Sequence, residues 1–352
     1  MKLTAWSSMA LAAVVGLTAC GSTVSQTAKP SPSSSKASAA VPSLGHVTIL
    51  MATYAPPYAP VFLADKLGYF KQHGLTVTIA PQQGGSTAAA ALIGGSAQFD
   101  AGVASDVMVA DTKGNDLTCV TAINNAIFLD LVMNGSWAQA HGVTSQSSTS
   151  DKLKALKGAK IGITAPGSLT DFAVRYMLSQ AGLKPNVDYH EVGLGSPASN
   201  VAAMTRHAID AAILNPSDAL IAENTEHGVI AAQWSDFPKL KDAAFGCLIA
   251  EQKYAQSHPQ ITRAVAASVA EANNYILQHP SQALALVAPL FKFPKAVLQA
   301  TWSQYNFAPN GLSTQDSWDN MAQILAQNGE LTPAQVGPAS HDYTNAYLPG
   351  QS

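Results

Sequence analysis

From His46 onward, short apolar runs alternate with longer amphipathic segments. HVTILMA (46–52) and LTVTIA (75–80) read as strands. APVFLADKLGYFKQHG (59–74), between them, reads as a helix, with Pro60 near its start and Gly74 just past its end. The alternation continues through the helix STAAAALIGG, the strand QFDAGV, the helix DVMVADTKG and the strand LTCVTAI. A further strand, LDLVMNG (129–135), precedes a polar break, HGVTSQSSTS (141–150). The pattern then restarts. DKLKALKG predicts a helix, AKIGIT a strand, DFAVRYMLSQAG a helix and VDYHEVG a strand. NVAAMTRH, IDAAIL, ALIAENTEHG and GVIAAQ repeat helix, strand, helix, strand. After Trp234 the strand FGCLIAE (245–251) leads into a helix-rich tail that includes ITRAVAASVAEANNYILQ and SWDNMAQILAQNG. Repeated strand–helix units predict mostly parallel sheets flanked by helices, an α/β class, in two blocks.

The N-terminus departs from this pattern. Met9 to Ala19 is apolar but too short to span a bilayer, and it has the size of a secretory apolar region. Leu17-Thr18-Ala19-Cys20 resembles a bacterial lipobox, so residues 1–20 are expected to be a lipoprotein signal peptide with Cys20 as the lipid anchor. An ordinary signal peptide that happens to hold a cysteine is the alternative. Residues 21–45 are rich in Ser, Ala and Pro, a composition that cannot bury enough surface to fold, and are expected to form a disordered tether.

Composition narrows the function classes. A net charge of −3 gives no bias toward nucleic acid or anionic membrane. Only 12% of residues are charged, against about 25% in ordinary domains. Beyond Cys20, Cys119 and Cys247 lie in strand-like runs and are either two buried thiols or a disulfide. No G-x-S-x-G, H-E-x-x-H or paired C-x-x-C occurs, and the nine histidines show no metal-ligand spacing. Gly193-Leu-Gly195-Ser-Pro-Ala198 matches G-x-G-x-x-A, but Pro197 interrupts it and no acid ends the next strand. No cofactor and no metal are expected, and the chain is not expected to be an enzyme.

In open α/β sheets ligands bind beyond the carboxyl ends of the strands. Those ends carry TYAPPYAP (53–60), QGGST (83–87), VASD (103–106), APGSLT (165–170), GSPAS (195–199) and NPSD (215–218). Five of the six place Ser or Thr just before a helix. A helix N-terminus offers orphan N–H groups, glycine allows close approach, and a hydroxyl adds a donor. The candidate contacts are Ser86, Thr87, Ser168 and Thr170, then Ser105, Asn215 and Ser217, with Gly85, Gly167 and Leu169 supplying backbone. Tyr54, Pro57 and Tyr58 form a stiff aromatic loop, and Phe128 beside LDLVMNG could wall a cleft. For any one of these turns taken alone, ordinary helix capping is the better explanation, and the case for ligand contact rests on several turns converging on one cleft. Asp106 reads as a cap, and Arg175 as either a surface ion-pair partner or a ligand clamp.

Three segments carry a family resemblance: YAPPYAPVFLADKLGYFKQHGLTV (54–77), LKGAKIGITAPGSLTDFAVRYMLSQAGL (156–183) and IDAAILNPSDALIAE (209–223). They resemble ABC-transporter solute-binding lipoproteins of the nitrate/sulfonate/taurine and thiamine-precursor branch, which have the periplasmic-binding-protein type II fold. The resemblance implies two lobes joined by two crossover strands, LDLVMNG and FGCLIAE. Residues 46–129 plus 245–352 would form lobe one and 130–244 lobe two, with a small organic anion or polar metabolite (sulfonate-, taurine- or nitrate-like) held in the cleft. Only three arginines in the whole chain argue against a dense guanidinium clamp. The implied partners are an ABC permease and ATPase, the implied place is outside the cytoplasm on the membrane through Cys20, and the implied state is a monomer. The alternatives are binding or synthesis of a thiamine-precursor pyrimidine on the same fold, or a sensor lipoprotein that presents ligand.

Overall fold

The computed structural model describes residues 42–52, 54–82, 84–237, 242–336 and 342–351. The signal peptide, Cys20 and the tether up to residue 41 lie outside the described residues. Leu44 already donates its N–H to the Gly74 carbonyl at 2.8 Å, and the first strand begins at Gly45.

The first block runs β1 (Gly45–Met51), α1 (Ala59–Lys66), α2 (Tyr69–Gln72), β2 (Leu75–Pro81), α3 (Gly85–Ile93), β3 (Phe99–Val103), α4 (Ala104–Asp111) and β4 (Leu117–Ala122). The second runs β5 (Asp130–Met133), α5 (Gly135–Ala140), α6 (Thr149–Lys154), β6 (Lys160–Ile163), α7 (Leu169–Ser179), β7 (His190–Gly193), α8 (Pro197–Thr205), β8 (Ala211–Leu214), α9 (Pro216–Glu226) and β9 (Val229–Gln233). The tail holds β10 (Gly246–Glu251), α10 (Gln252–Ser257), α11 (Pro259–Gln278), α12 (Pro280–Val287), α13 (Lys295–Thr301) and α14 (Gln315–Gln327).

Two five-stranded sheets result, in the orders β2-β1-β3-β10-β4 and β7-β6-β8-β5-β9. In the first, β1 pairs in parallel with β2 and β3, while β10 is antiparallel to both β3 and β4. In the second, β6 pairs in parallel with β7 and β8, while β5 is antiparallel to β8 and β9. The one antiparallel strand of each sheet is the strand reached just after the chain passes between the sheets. β5 follows the passage from β4, and β10 follows the passage from β9. The strands β3, β4, β5 and β8 are buried at every residue, the edge strand β4 included, and apart from Asp100 and Asp130 they consist of apolar, small or threonine residues.

The tail is part of the core. α11 buries Thr262, Val265, Ala266, Val269, Ala270, Asn273 and Ile276, a stripe at helical spacing. Asn273, inside that stripe, donates its Nδ2 to the Ala122 carbonyl at the end of β4 at 2.9 Å. Trp318 and Met321 of α14 join the same core as Phe99 and Leu131, one from each sheet.

Candidate functional site

The carboxyl ends of the parallel strands of both sheets turn toward one cavity of about 90 Å³. Past β1 come Ala52, Ala55, Pro57 and Tyr58, and past β2 the start of α3 at Gly84 and Gly85. Past β3 come Val103 and Asp106. From the second sheet, β6 delivers Thr164, Ser168, Leu169 and Thr170, β7 delivers Gly195 and Pro197, and β8 delivers Asn215. Phe128, Leu129 and Phe245, on the two passages between sheets, complete the wall. Phe128 packs edge-on against Phe245 and Tyr305, with ring centroids 4.5 and 5.1 Å away.

Several helices begin at this cavity, and most are capped from within. Asn215 Oδ1 accepts the N–H groups of Ser217 and Asp218 at 3.1 and 3.3 Å. Ser196 Oγ accepts the Ser199 N–H at 3.1 Å. Asp106, in the first turn of α4, accepts the Val103 N–H at 3.3 Å. The starts of α3 and α7 carry no such cap from the side chain that precedes them. At α7 the hydroxyls bond to one another instead. Thr164 Oγ1 donates to Ser168 Oγ at 3.0 Å, Ser168 and Thr170 share a 2.7 Å bond, and Thr164 and Thr170 a 2.9 Å bond. Thr170 Oγ1 also accepts the Thr164 N–H at 2.9 Å.

The first sheet backs the cavity with buried acid. Asp106 is 6% exposed, and burial pushes its carboxyl up to about 7, partly offset by the Val103 N–H. Behind it Asp100 is fully buried, and neither of its carboxyl oxygens has a hydrogen-bond partner. Burial, then the neighbouring Asp106, raises its pKa well above the ordinary value. Both carboxyls crowd Gly102: a Cβ there would lie 2.8 Å from Asp100 Oδ2 and 3.3 Å from Asp106 Oδ2. Burial and these two acids also raise the Tyr58 hydroxyl.

Of the expected contacts, Pro57, Tyr58, Gly85, Phe128, Ser168, Leu169, Thr170 and Asn215 meet in this wall. Tyr54, Ser86, Thr87, Ser105, Gly167 and Ser217 do not. Tyr54 is 44% exposed, reaches the Ile79 carbonyl at 3.3 Å and lines a neighbouring groove. Ser86 and Thr87 lie in the first turn of α3, where only Gly84 and Gly85 reach the wall. Ser105 is wholly buried inside the first turn of α4. Gly167 has open space where a Cβ would stand, so its φ of +73° and not ligand clearance is what calls for glycine. Ser217 belongs to a buried node instead: its Oγ lies 2.6 Å from the Tyr305 hydroxyl and 2.8 Å from Thr301 Oγ1. Arg175 is an ion-pair partner, 2.7 Å from Asp171, 3.1 Å from Glu191 and 3.7 Å from Glu330. Asp106, read as a cap, is both cap and cavity wall. Sequence reading missed Thr164, Gly195, Pro197 and Phe245, although GSPAS stood among the strand-end turns. Cys119 and Cys247 are buried free thiols. Among the described residues no cluster of His, Cys, Asp or Glu is placed to hold a metal, and no helix is long and apolar enough to cross a membrane.

Residues 51–290, most of the chain, match the NMT1-like family. The chain belongs to that family. A Brucella abortus candidate binding protein is 29% identical to this NMT1-like chain over 240 residues, 67% of this chain and 69% of that one. The 4-amino-5-hydroxymethyl-2-methylpyrimidine phosphate synthase of Saccharomyces cerevisiae is 24% identical over 321 residues, 86% of this chain and 87% of that one. The alkanesulfonate-binding protein SsuA of Xanthomonas axonopodis pv. citri, solved with bound MOPS, superposes with a TM-score of 0.67 at 18% identity, over 85% of this chain and 98% of that one. That likeness establishes the periplasmic-binding-protein fold for this NMT1-like chain.

Proposed function

We propose that this chain is the extracytoplasmic solute-binding component of an ABC importer, tethered to the membrane through Cys20 and working as a monomer. One observation carries the reading: strand ends from two sheets, joined by two passages, enclose a small cavity between them. Such an arrangement lets a solute be captured as the two halves hinge together and released as they part. Residues 46–129 with 245–352 would move as one lobe and 130–244 as the other. The similarity to a candidate binding protein supports this reading. The similarity to the yeast pyrimidine phosphate synthase favours a second reading, an enzyme on the same scaffold. Against it, the described cavity wall carries Asp106 and Tyr58 as its only ionisable side chains, a sparse set for acid–base or nucleophilic work.

Thermal melts across a panel of small solutes test the capture, because a ligand that binds only the folded state raises the melting temperature. Ala55→Trp fills the cavity and should abolish any such shift. A shift that survives Ala55→Trp means the solute binds elsewhere and refutes the reading. Acyl labelling of Cys20, lost in Cys20→Ser, tests the anchor. Failure to label the wild-type chain removes that part of the proposal.

A further inference from the structure

We infer that the cavity selects a small solute that carries an N–H or O–H donor and no net negative charge, with Asp106 as the group that receives the donor. The inference rests on the proposed capture of a solute in this cavity, and it departs from the sulfonate- or nitrate-like anion that the family resemblance implies.

The wall contains no lysine, arginine or histidine side chain among its described residues, and its one acid is Asp106. More than nine-tenths of Asp106 is buried, and the bond its Oδ2 accepts from the Val103 N–H is a long one, 3.3 Å. An ionised carboxylate has about four lone-pair sites to fill, so a donor arriving from the cavity completes it. Behind it lies Asp100, with both oxygens unpartnered, so no basic group is available to neutralise the pair from that side. The hydroxyl, thiol and carboxyl groups felt there, Tyr58, Cys247, Asp100 and Asp106, are all acids.

The opposite wall agrees. Thr164, Ser168 and Thr170 form a closed triangle of bonds of 3.0, 2.7 and 2.9 Å. When their protons circulate within the triangle, Thr164 and Ser168 each keep a lone pair for the solute, while that of Thr170 is taken by the Thr164 N–H. Asn215 Oδ1 is occupied by two backbone N–H groups, and one Nδ2 hydrogen by Asp218 at 2.6 Å. The donors left at this cavity are the Tyr58 hydroxyl, the second Nδ2 hydrogen of Asn215 and backbone N–H groups at the starts of α3 and α7. Those suit a carbonyl or hydroxyl oxygen of a neutral molecule. Asp106 and the hydroxyl triangle suit its donor, and an anion would meet Asp106 with no cation beside it. The rest of the wall, from Ala52 and Ala55 to Leu169 and Phe245, is apolar. A volume of about 90 Å³ falls below the roughly 150 Å³ that accepts benzene, which limits the solute to a handful of non-hydrogen atoms.

The test is a calorimetric and thermal-shift panel at pH 8, where Asp106 is mostly ionised. Acetamide, methylammonium and ethanolamine serve as donor probes, and nitrate, acetate and methanesulfonate as anions. The full chain is compared with Asp106→Asn and Ala55→Trp. Asparagine at that position retains an acceptor for the Val103 N–H, and thermal melts check that the variant folds. At least one donor probe should bind the wild type, and Asp106→Asn should weaken it about ten-fold or more, since a charge-assisted bond is lost. If Asp106→Asn does not fold, the wild-type panel decides by itself. Anion binding that Ala55→Trp removes overturns the charge selection but leaves capture in this cavity standing. Donor binding that survives both variants overturns the cavity itself. A panel in which no donor probe binds also overturns the selection.

Discussion

Raising the pH from 4 to 8 should weaken this protein, and Asp218→Asn should remove a measurable part of that weakening. Asp218 is 3% exposed, and its Oδ2 accepts the Asn215 Nδ2 at 2.6 Å. Tyr305 is close enough to feel its charge, and Lys292 shares the groove that Asp218 lines. Burial outweighs the Asn215 bond and pushes its pKa from 3.8 up to about 7. Below 3.8 the folded and unfolded chains are both protonated there, and the group costs nothing. Between 3.8 and 7 the unfolded chain ionises while the folded chain holds its proton, so stability falls as pH rises. Above 7 both are ionised and the full cost is in place. That interval corresponds to at most about 4 kcal/mol, at about 1.36 kcal/mol per pH unit. The Asp218→Asn variant would carry no such cost, and its new side-chain oxygen still accepts from Asn215. Urea unfolding of wild type and variant from pH 4 to 8 gives the difference directly, with other titrating groups cancelling. The variant should match wild type near pH 4 and exceed it by up to about 4 kcal/mol at pH 8. A difference that stays constant across the range would show that burial does not hold the proton on Asp218.

Three further outcomes follow from particular contacts. Tyr305→Phe removes the 2.6 Å bond to Ser217 and should cost about 1–2 kcal/mol in urea unfolding, while an unchanged midpoint would mean the hydroxyl contributes nothing. Gly102→Ala drives a methyl to within 2.8 Å of both Asp100 Oδ2 and Ile249 Cδ1 and should destabilise by about 1–3 kcal/mol, a cost that a melt equal to wild type would rule out. Cys119 and Cys247, 1% and 2% exposed, should react with a thiol reagent only on unfolding; an intact mass lower by two hydrogens would instead reveal a disulfide.

The legible part of the molecule was the part written in local periodicity. The strand-like run LTCVTA and the apolar run AAIL became the buried strands β4 and β8, and the turns QGGST, APGSLT and NPSD all came to one cavity. Which atom of each turn faces that cavity depends on packing across long sequence separations. Ser217 stands two residues from the wall residue Asn215, yet it turns to Tyr305, 88 residues later. Ser168 and Thr170 were expected to offer hydroxyls to a ligand, but Thr164, which periodicity marked only as a strand end, joins them in a closed triangle. Asp100 sits in an apolar strand whose sequence gives no sign that the carboxyl would stay unpartnered. The helix α5 escaped the reading because GSWAQA carries no apolar repeat and its cap, Asn134, was taken into the end of the strand LDLVMNG.

The node that joins Ser217 to Thr301 and Tyr305 has a consequence for how this family varies. The stretch shared with the NMT1-like family ends at residue 290, so both partners of Ser217 lie beyond it. Tyr305 also reaches Asn215 Oδ1 at 3.4 Å, and Asn215 is a wall residue. A segment outside the shared stretch therefore steers a side chain inside it. Two relatives with identical strand-end turns would hold Asn215 differently if their last helices differed. Grafting the turns alone onto a relative would transplant the contacts without the brace. A chimera meant to exchange specificity should carry residues 291–305 along with the loops.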